Sequence, residues 1–489
     1  MFSNGMVYLG ASVLTQAINL ILIPLYTRNL SQEQYGQYDL ILSVQQLLAI
    51  AITLGVYSGM IRFFNELEDK SALKNTAMTF SLLWGALCIG LACLINPWLS
   101  AVLFNQVPEG HLFIPLIVIS SVLVCLNTIY SSYYSMGFKA VKSAGVQLSA
   151  FILILLYAIC FFLILDMGIV GILLAQMCGH LTVFLCLFAL DLRNYKPMLK
   201  REPLRKMLWY GTGLLLGELS AWILTLSDRF LIQGFMSLSS LAIYSIGYKI
   251  GMLIQPVFIN PFTSVFTPFK FKVYKEEDGA ERIRRMFRLY NFIGWFCVAG
   301  LALFAKIAVA LIATKEYGEA AYLVPMITLS YFLSGAIAFY SLGLHIANKV
   351  RLNSMITIGV ACFNVAANLL LIPRFGIYGS AVSTVLAYAM ANGAFYYFGS
   401  KHYPLGLGLL YPYKYLIVFG PVYGLYLLVT GLTDSVIVEL LLNAVLCGLF
   451  VLLSLVFKLI SLEEITGVLT RPVFRGAEKL AVKGVHSES

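Results

Sequence analysis

Apolar runs of twenty or more residues, separated by short polar pieces, repeat along the whole chain. A bilayer with a hydrocarbon core of about 30 Å requires runs of that length. The pattern predicts spans near 6–27, 36–60, 77–103, 112–136, 145–165, 168–190 and 207–235. It continues with 240–268, 289–313, 320–345, 353–372, 377–400, 412–431 and 436–458. The expectation is an all-α membrane protein of about fourteen transmembrane helices, ending in a polar tail over 460–489.

Composition agrees. Of 489 residues, 60% are hydrophobic and 11% charged, with mean hydropathy +0.86. Soluble proteins carry about a quarter charged residues, so too little polar surface is present to coat a soluble particle of this size. The opening MFSNGMVYLG has no basic region and no small-residue cleavage site, which predicts a retained first span. All nine cysteines fall inside predicted spans without metal-binding spacing and read as small apolar fillers.

The formal net charge of +10 is informative through its distribution. With the N-terminus placed in the cytoplasm, 27 of the 33 lysines and arginines fall in inside loops and the tail, and three in outside loops. That is the positive-inside bias, with both termini cytoplasmic. Basic residues scattered over short loops also argue against a nucleic-acid partner.

The first six spans recur in the next six. Ser31–Tyr38, entering span 2, aligns with Ser237–Tyr244, entering span 8, at an offset of 206; Met167–Gly171, entering span 6, aligns with Phe375–Gly379, entering span 12, at an offset of 208. Six spans per unit is even, so the copies share one orientation and are related by an axis along the membrane normal, as in transporters with a central cavity between two bundles. The expected organisation is a six-helix bundle over 1–190, a cytoplasmic linker over 191–206, a second bundle over 207–400, and two added helices over 401–459.

The run Ile23-Pro-Leu-Tyr-Thr-Arg-Asn-Leu30 followed by Tyr35-Gly-Gln-Tyr38 resembles the opening of the polysaccharide-export (Wzx-like) flippases. Asp228-Arg-Phe-Leu-Ile232, with Ala242-Ile-Tyr-Ser245 and Tyr248-Lys-Ile250, resembles the span 7–8 signature of that family. The likeness extends over almost the whole chain. It implies the multidrug/oligosaccharidyl-lipid/polysaccharide exporter fold in a bacterial cytoplasmic (inner) membrane. The implied activity moves a polyprenyl-pyrophosphate-linked oligosaccharide from the inner to the outer leaflet for surface polysaccharide synthesis. Partners would be that lipid-linked oligosaccharide, membrane lipids and a polysaccharide polymerase machinery; no cofactor is expected. Arg28 is the one basic residue of span 1, unlike the lipid II branch.

A headgroup of pyrophosphate and hydroxyls crosses hydrocarbon only along a polar lining, and ionisable groups at mid-membrane rarely face lipid. The intramembrane charges are therefore the sharpest candidates. Span 7 carries Glu218, Asp228 and Arg229, and span 8 carries Lys249. Glu218 and Arg229 lie about 20° apart on a helical wheel and about 16 Å apart along the axis. Glu218 and Asp228 are candidates for coupling to a cation, and Arg229 or Lys249 for meeting phosphate. A Lys249–Asp228 pair is geometrically plausible, and the same charges can serve merely as ion pairs joining two helices. Arg28 reads as lining or anchoring; Gln16 with Asn19, and Asn364 with Asn368, share helix faces and either line the cavity or bridge helices. Gly247 and Gly251 form a small-xxx-small pair ahead of Pro256, Pro261 and Pro268. The mixed-charge segment 270–288 reads as a solvated amphipathic surface helix.

Two other readings compete with a flippase. A cation-coupled drug antiporter on the same fold would prefer an acid-lined cavity. A membrane polysaccharide polymerase or ligase would need a catalytic loop or domain, whereas the longest internal loop here is 270–288 and no nucleotide or metalloprotease motif occurs.

Overall fold

The computed structural model describes residues 21–67, 69–104, 109–430 and 435–461, and among these every regular element is helical. In chain order they are α1 (21–29), α2 (Gln32–Thr53), α3 (Val56–Phe63), α4 (Lys70–Phe104), α5 (Gly110–Met136), α6 (Ala140–Ala158), α7 (Gly168–Asp191) and α8 (Arg201–Phe235). Then follow α9 (Leu238–Gly251), α10 (Asn260–Val273), α11 (Gly279–Leu303), α12 (Ala305–Ile312), α13 (Ala320–Tyr340) and α14 (Leu342–Ile346). The last are α15 (Val350–Ser400), α16 (Leu416–Val429) and α17 (Val436–Val456).

Among the described residues eleven helices are long and apolar enough to cross a bilayer, and the bent pair α2–α3 makes twelve. The 51-residue α15 is two helices joined at a kink at Gly376, which makes thirteen. Most of the first expected span, with Gln16 and Asn19, lies outside the described residues, as does the tail from residue 462.

The chain packs as two compact units. The first holds the described residues up to Ile243 together with Ile312–Glu316; the second holds Tyr244–Leu311 and the described residues from Tyr317 onward. In the first unit α4 packs on α5, α5 and α6 on α7, and α8 lies along α2 and α3. In the second, α13 is central between α11 and α15, and α16 and α17 lean on α11. The core of the second unit is aromatic: Tyr290 stacks on Phe258 and Phe332, and its hydroxyl donates to the Phe332 carbonyl at 2.6 Å.

The repeated motifs fold alike. Ser31 and Ser237 both cap the helix that follows, accepting from the backbone N–H of Gln34 at 3.2 Å and of Ser240 at 3.1 Å. Gly168 and Gly376 both have positive φ, +53° and +60°. A Cβ on Gly171 would lie 2.8 Å from the Phe161 carbonyl oxygen, and one on Gly379 only 2.3 Å from that of Leu371. Each copy thus uses one glycine to reverse the chain and a second to let the next helix start against the end of the previous one. Gly376, at φ 60° and ψ −140°, occupies a region that is essentially glycine's alone. Gly376→Ala should cost about 2 kcal/mol and lower the melting temperature in detergent, while Gly145→Ala, a helical position where a Cβ meets nothing within 4 Å, should not.

Segment 270–288 departs from the expected surface helix. α10 runs to Val273, a tight turn covers 274–278, and α11 begins at Gly279, so the charged residues extend two spans. A Cβ on Gly279 would lie 1.9 Å from the Val273 carbonyl oxygen, so the turn closes only on glycine. Local pairing accommodates the charge: Arg282 with Glu276, and Arg284 and Arg288 with Glu281. The glycine pair on α9 packs as expected. Cβ atoms at Gly247 and Gly251 would lie 2.8 Å from Ala320 and from Ile327 of α13. Pro256 falls in a π turn, Gln255–Ile259, where its missing donor breaks the ladder.

Candidate functional site

Asp39 lies on α2 seven residues beyond its first residue, and Arg229 on α8 six residues before its last. At a rise of about 1.5 Å per residue these are depths of about 10 and 9 Å from the same end of the unit. The two side chains therefore meet level, although 190 residues separate them in sequence. The Ser31–Gln34 capping box sets the start of α2 and with it the face on which Tyr35, Tyr38 and Asp39 turn inward.

Arg229 donates from Nε to Asp39 Oδ2 at 3.1 Å, and from one terminal nitrogen to Asp228 Oδ1 at 2.9 Å and to the Thr225 carbonyl at 2.7 Å. All three charged residues are at most 4% exposed. One guanidinium is thus shared by two carboxylates. Two turns along α8, the Trp222 indole N–H donates to the Ser43 carbonyl at 3.1 Å and holds the two helices in this register.

Glu218 sits one further turn away, on the continuous helix that also bears Arg229. It is half-buried and has no hydrogen-bond or ion-pair partner among the described residues. Cβ atoms at the adjoining Gly213 and Gly217 would meet nothing within 4 Å, so this flank of α8 is open. Nearer its start, α8 is clamped: Gly211 Cα lies 2.6 Å from where a Gly55 Cβ would be, and Met207 closes on Gly59 as tightly. Gly55 and Leu54, both at positive φ, form the 49° bend between α2 and α3. The ion cluster, the bend and the unpaired acid thus lie along one pair of elements.

Lys249 is half-buried on α9, in the second unit, and Asp228 accepts from its neighbour Arg229. Arg28 is exposed at the end of α1. Asn364 and Asn368 are at most 1% exposed and bond to each other, Asn368 Nδ2 to Asn364 Oδ1 at 3.1 Å, within the second unit. Gln16 and Asn19 lie outside the described residues. Asp39 was absent from the sequence candidates, although it stands inside the second span one residue after Tyr38 of the motif quoted above. An acid in an apolar span was the available signal. Among the described residues no cluster of metal-ligating side chains occurs.

The profile of the polysaccharide biosynthesis protein family matches residues 25–322, more than half of the chain. The chain belongs to that family. Among curated relatives, an uncharacterized membrane protein of Methanocaldococcus jannaschii is 25% identical over 292 residues, 57% of this chain and 56% of its own. The capsular polysaccharide biosynthesis protein CapF of Staphylococcus aureus is 28% identical over 190 residues, 37% of this chain and 46% of its own. The match thus spans about half the length of these relatives.

Solved structures share the fold. The lipid II flippase MurJ in an inward closed conformation superposes with TM-score 0.71 at 15% identity, covering 94% of this chain and 99% of that one. An inward-facing multidrug resistance MATE transporter of the MOP superfamily gives 0.65 at 17% identity, covering 79% and 94%. The exporter fold expected from the sequence is the fold observed. The family match includes Asp39, Glu218, Asp228 and Arg229 and stops short of Asn364 and Asn368.

Proposed function

We propose that this chain is a flippase that moves a polyprenyl-pyrophosphate-linked oligosaccharide from the inner to the outer leaflet by cation-coupled alternating access. The observation that carries the reading is the pairing of a polysaccharide biosynthesis family with a fold shared by a lipid II flippase and a drug transporter. The basic loops favour a cytoplasmic N-terminus. In this reading the contribution to polysaccharide synthesis is passage across the bilayer rather than bond formation.

In this reading Asp39, Asp228 and Glu218 take up the coupling proton or cation. Arg229 is already engaged by both aspartates, so its part is to hold the two carboxylates at one place and keep their charge near balance. Lys249 is the membrane-depth cation proposed for the pyrophosphate. The bend at Leu54–Gly55 beside α8 supplies the element whose angle changes with occupancy. The drug antiporter on the same fold remains the second reading, favoured by the MATE likeness; the family match favours the saccharide.

Removing the protein from its cell should leave the lipid-linked repeat unit trapped in the inner leaflet, read by its inaccessibility to an added glycosidase. Restoring the wild-type chain should release it. Glu218→Gln should be made in normal amount yet restore at least tenfold less. Full restoration by Glu218→Gln would remove this carboxylate from the coupling step, and free access of the repeat unit in cells lacking the protein would remove the flippase reading.

A further inference from the structure

We propose that the pocket between α4, α5, α6 and α7 of the first unit is a binding site for a bilayer phospholipid with an anionic headgroup. The pocket has a volume of about 750 Å³ and is separate from the Asp39–Arg229 cluster, sharing no residue with it. It is independent of what the protein transports.

The mouth is basic and aromatic. Lys74 is buried and neutralised, paired with Asp191 and lying 5.3 Å from the ring centre of Tyr133. Tyr130 adds its hydroxyl to the same carboxylate at 3.3 Å. Lys139 and Lys142 differ. Both are exposed at the rim, neither meets a carboxylate among the described residues, and Lys142 sits 5.9 Å from the centre of the Tyr134 ring. The mouth therefore carries about two uncompensated positive charges. They flank the start of α6, whose cap residue Lys139 makes no side-chain capping bond, so the orphan N–H groups of the first turn add to the attraction for an anion.

The wall below is apolar. Val146 and Val183 belong to a buried cluster against which Tyr134, Leu153 and Leu187 pack, and all five line the pocket. From Lys142 to Leu153 the wall runs eleven residues along α6, about 16 Å, or half the hydrocarbon thickness. A soluble phosphate has no use for such a wall, whereas a phospholipid places its phosphate at the lysines and an acyl chain along the valines and leucines. By the distribution of basic loops this mouth faces the cytoplasmic leaflet, where anionic lipids attract juxtamembrane lysines.

The test uses the full chain in phosphatidylcholine vesicles containing spin-labelled phosphatidylglycerol, and reads the motionally restricted lipid signal. The wild type should prefer phosphatidylglycerol over spin-labelled phosphatidylcholine by about tenfold, given the attraction of two surface lysines. Lys139→Gln with Lys142→Gln should abolish most of that preference. Lys272→Gln with Lys275→Gln, which removes the same charge from another loop, should leave it. Millimolar inorganic phosphate should not displace the lipid. Three results would overturn the site: an unchanged preference in the Lys139/Lys142 variant, equal loss in the Lys272/Lys275 variant, or displacement by free phosphate. Stoichiometric displacement by a polyprenyl diphosphate would overturn it too, assigning the pocket to the transported lipid.

Discussion

Arg229→Met should destabilise the protein by about 3–5 kcal/mol, because it removes a buried guanidinium that both Asp39 and Asp228 engage. The methionine keeps the length and apolar stem of the side chain, so lost packing contributes little. Thermal unfolding in detergent, followed by tryptophan fluorescence, reads the change. Trp222, bonded to the Ser43 carbonyl beside the cluster, gives a local signal. Combining Arg229→Met with Asp39→Asn and Asp228→Asn removes all three charges and should recover most of the stability, since neutral replacement of a buried ionic cluster is often near neutral in free energy. Transport should stay lost in that triple variant. A single Arg229→Met protein that melts with the wild type would show that the three groups do not bear charge together.

Gly36→Val should be the more severe change. A Cβ at residue 36 would lie 1.9 Å from the Leu238 carbonyl oxygen and 3.3 Å from the Ala242 nitrogen. Backbone stands on both sides of the contact, and no side-chain rotation relieves it. Overpacking a core usually costs about 1–3 kcal/mol; with two helix backbones forced apart, the loss should exceed that range and the variant should fail to accumulate in the membrane. Gly217→Ala is the matched control. Nothing lies within 4 Å of its Cβ, and alanine is the better helix former by about 1 kcal/mol. Equal accumulation of the Gly36 and Gly217 variants would contradict the close approach of α2 to the start of α9. In the repeat, Gly36 and Ala242 are equivalent positions at the offset of 206, so this contact joins two copies of one motif.

Hydropathy alone located most of the spans among the described residues, because filling the bilayer thickness leaves few alternatives. The two matching motif pairs were legible for a different reason: a helix cap at Ser31 and Ser237, and positive φ at Gly168 and Gly376, demand particular residues. The charges needed tertiary information. Glu218 and Arg229 share one helix, and their common stripe follows from the period of 3.6. Asp39 meets Arg229 only because two helices from distant parts of the sequence arrive at the same depth. Local pattern also failed at 279–288, where arginines and glutamates pair along the extension of α11 and hide its continuity with the span. Asn364 and Asn368 share one face of α15, where both are buried and bond to each other.

The most direct test of the central claim is movement of a fluorescent polyprenyl-pyrophosphate oligosaccharide in liposomes holding the purified protein. Probe initially protected in the inner leaflet should become accessible to a membrane-impermeant quencher, faster with an imposed proton or sodium gradient than without one. The Asp39→Asn/Asp228→Asn/Arg229→Met protein, folded but uncharged at the cluster, should leave the probe protected. Equal rates in protein-free liposomes, wild-type liposomes and those with the triple variant would contradict the account.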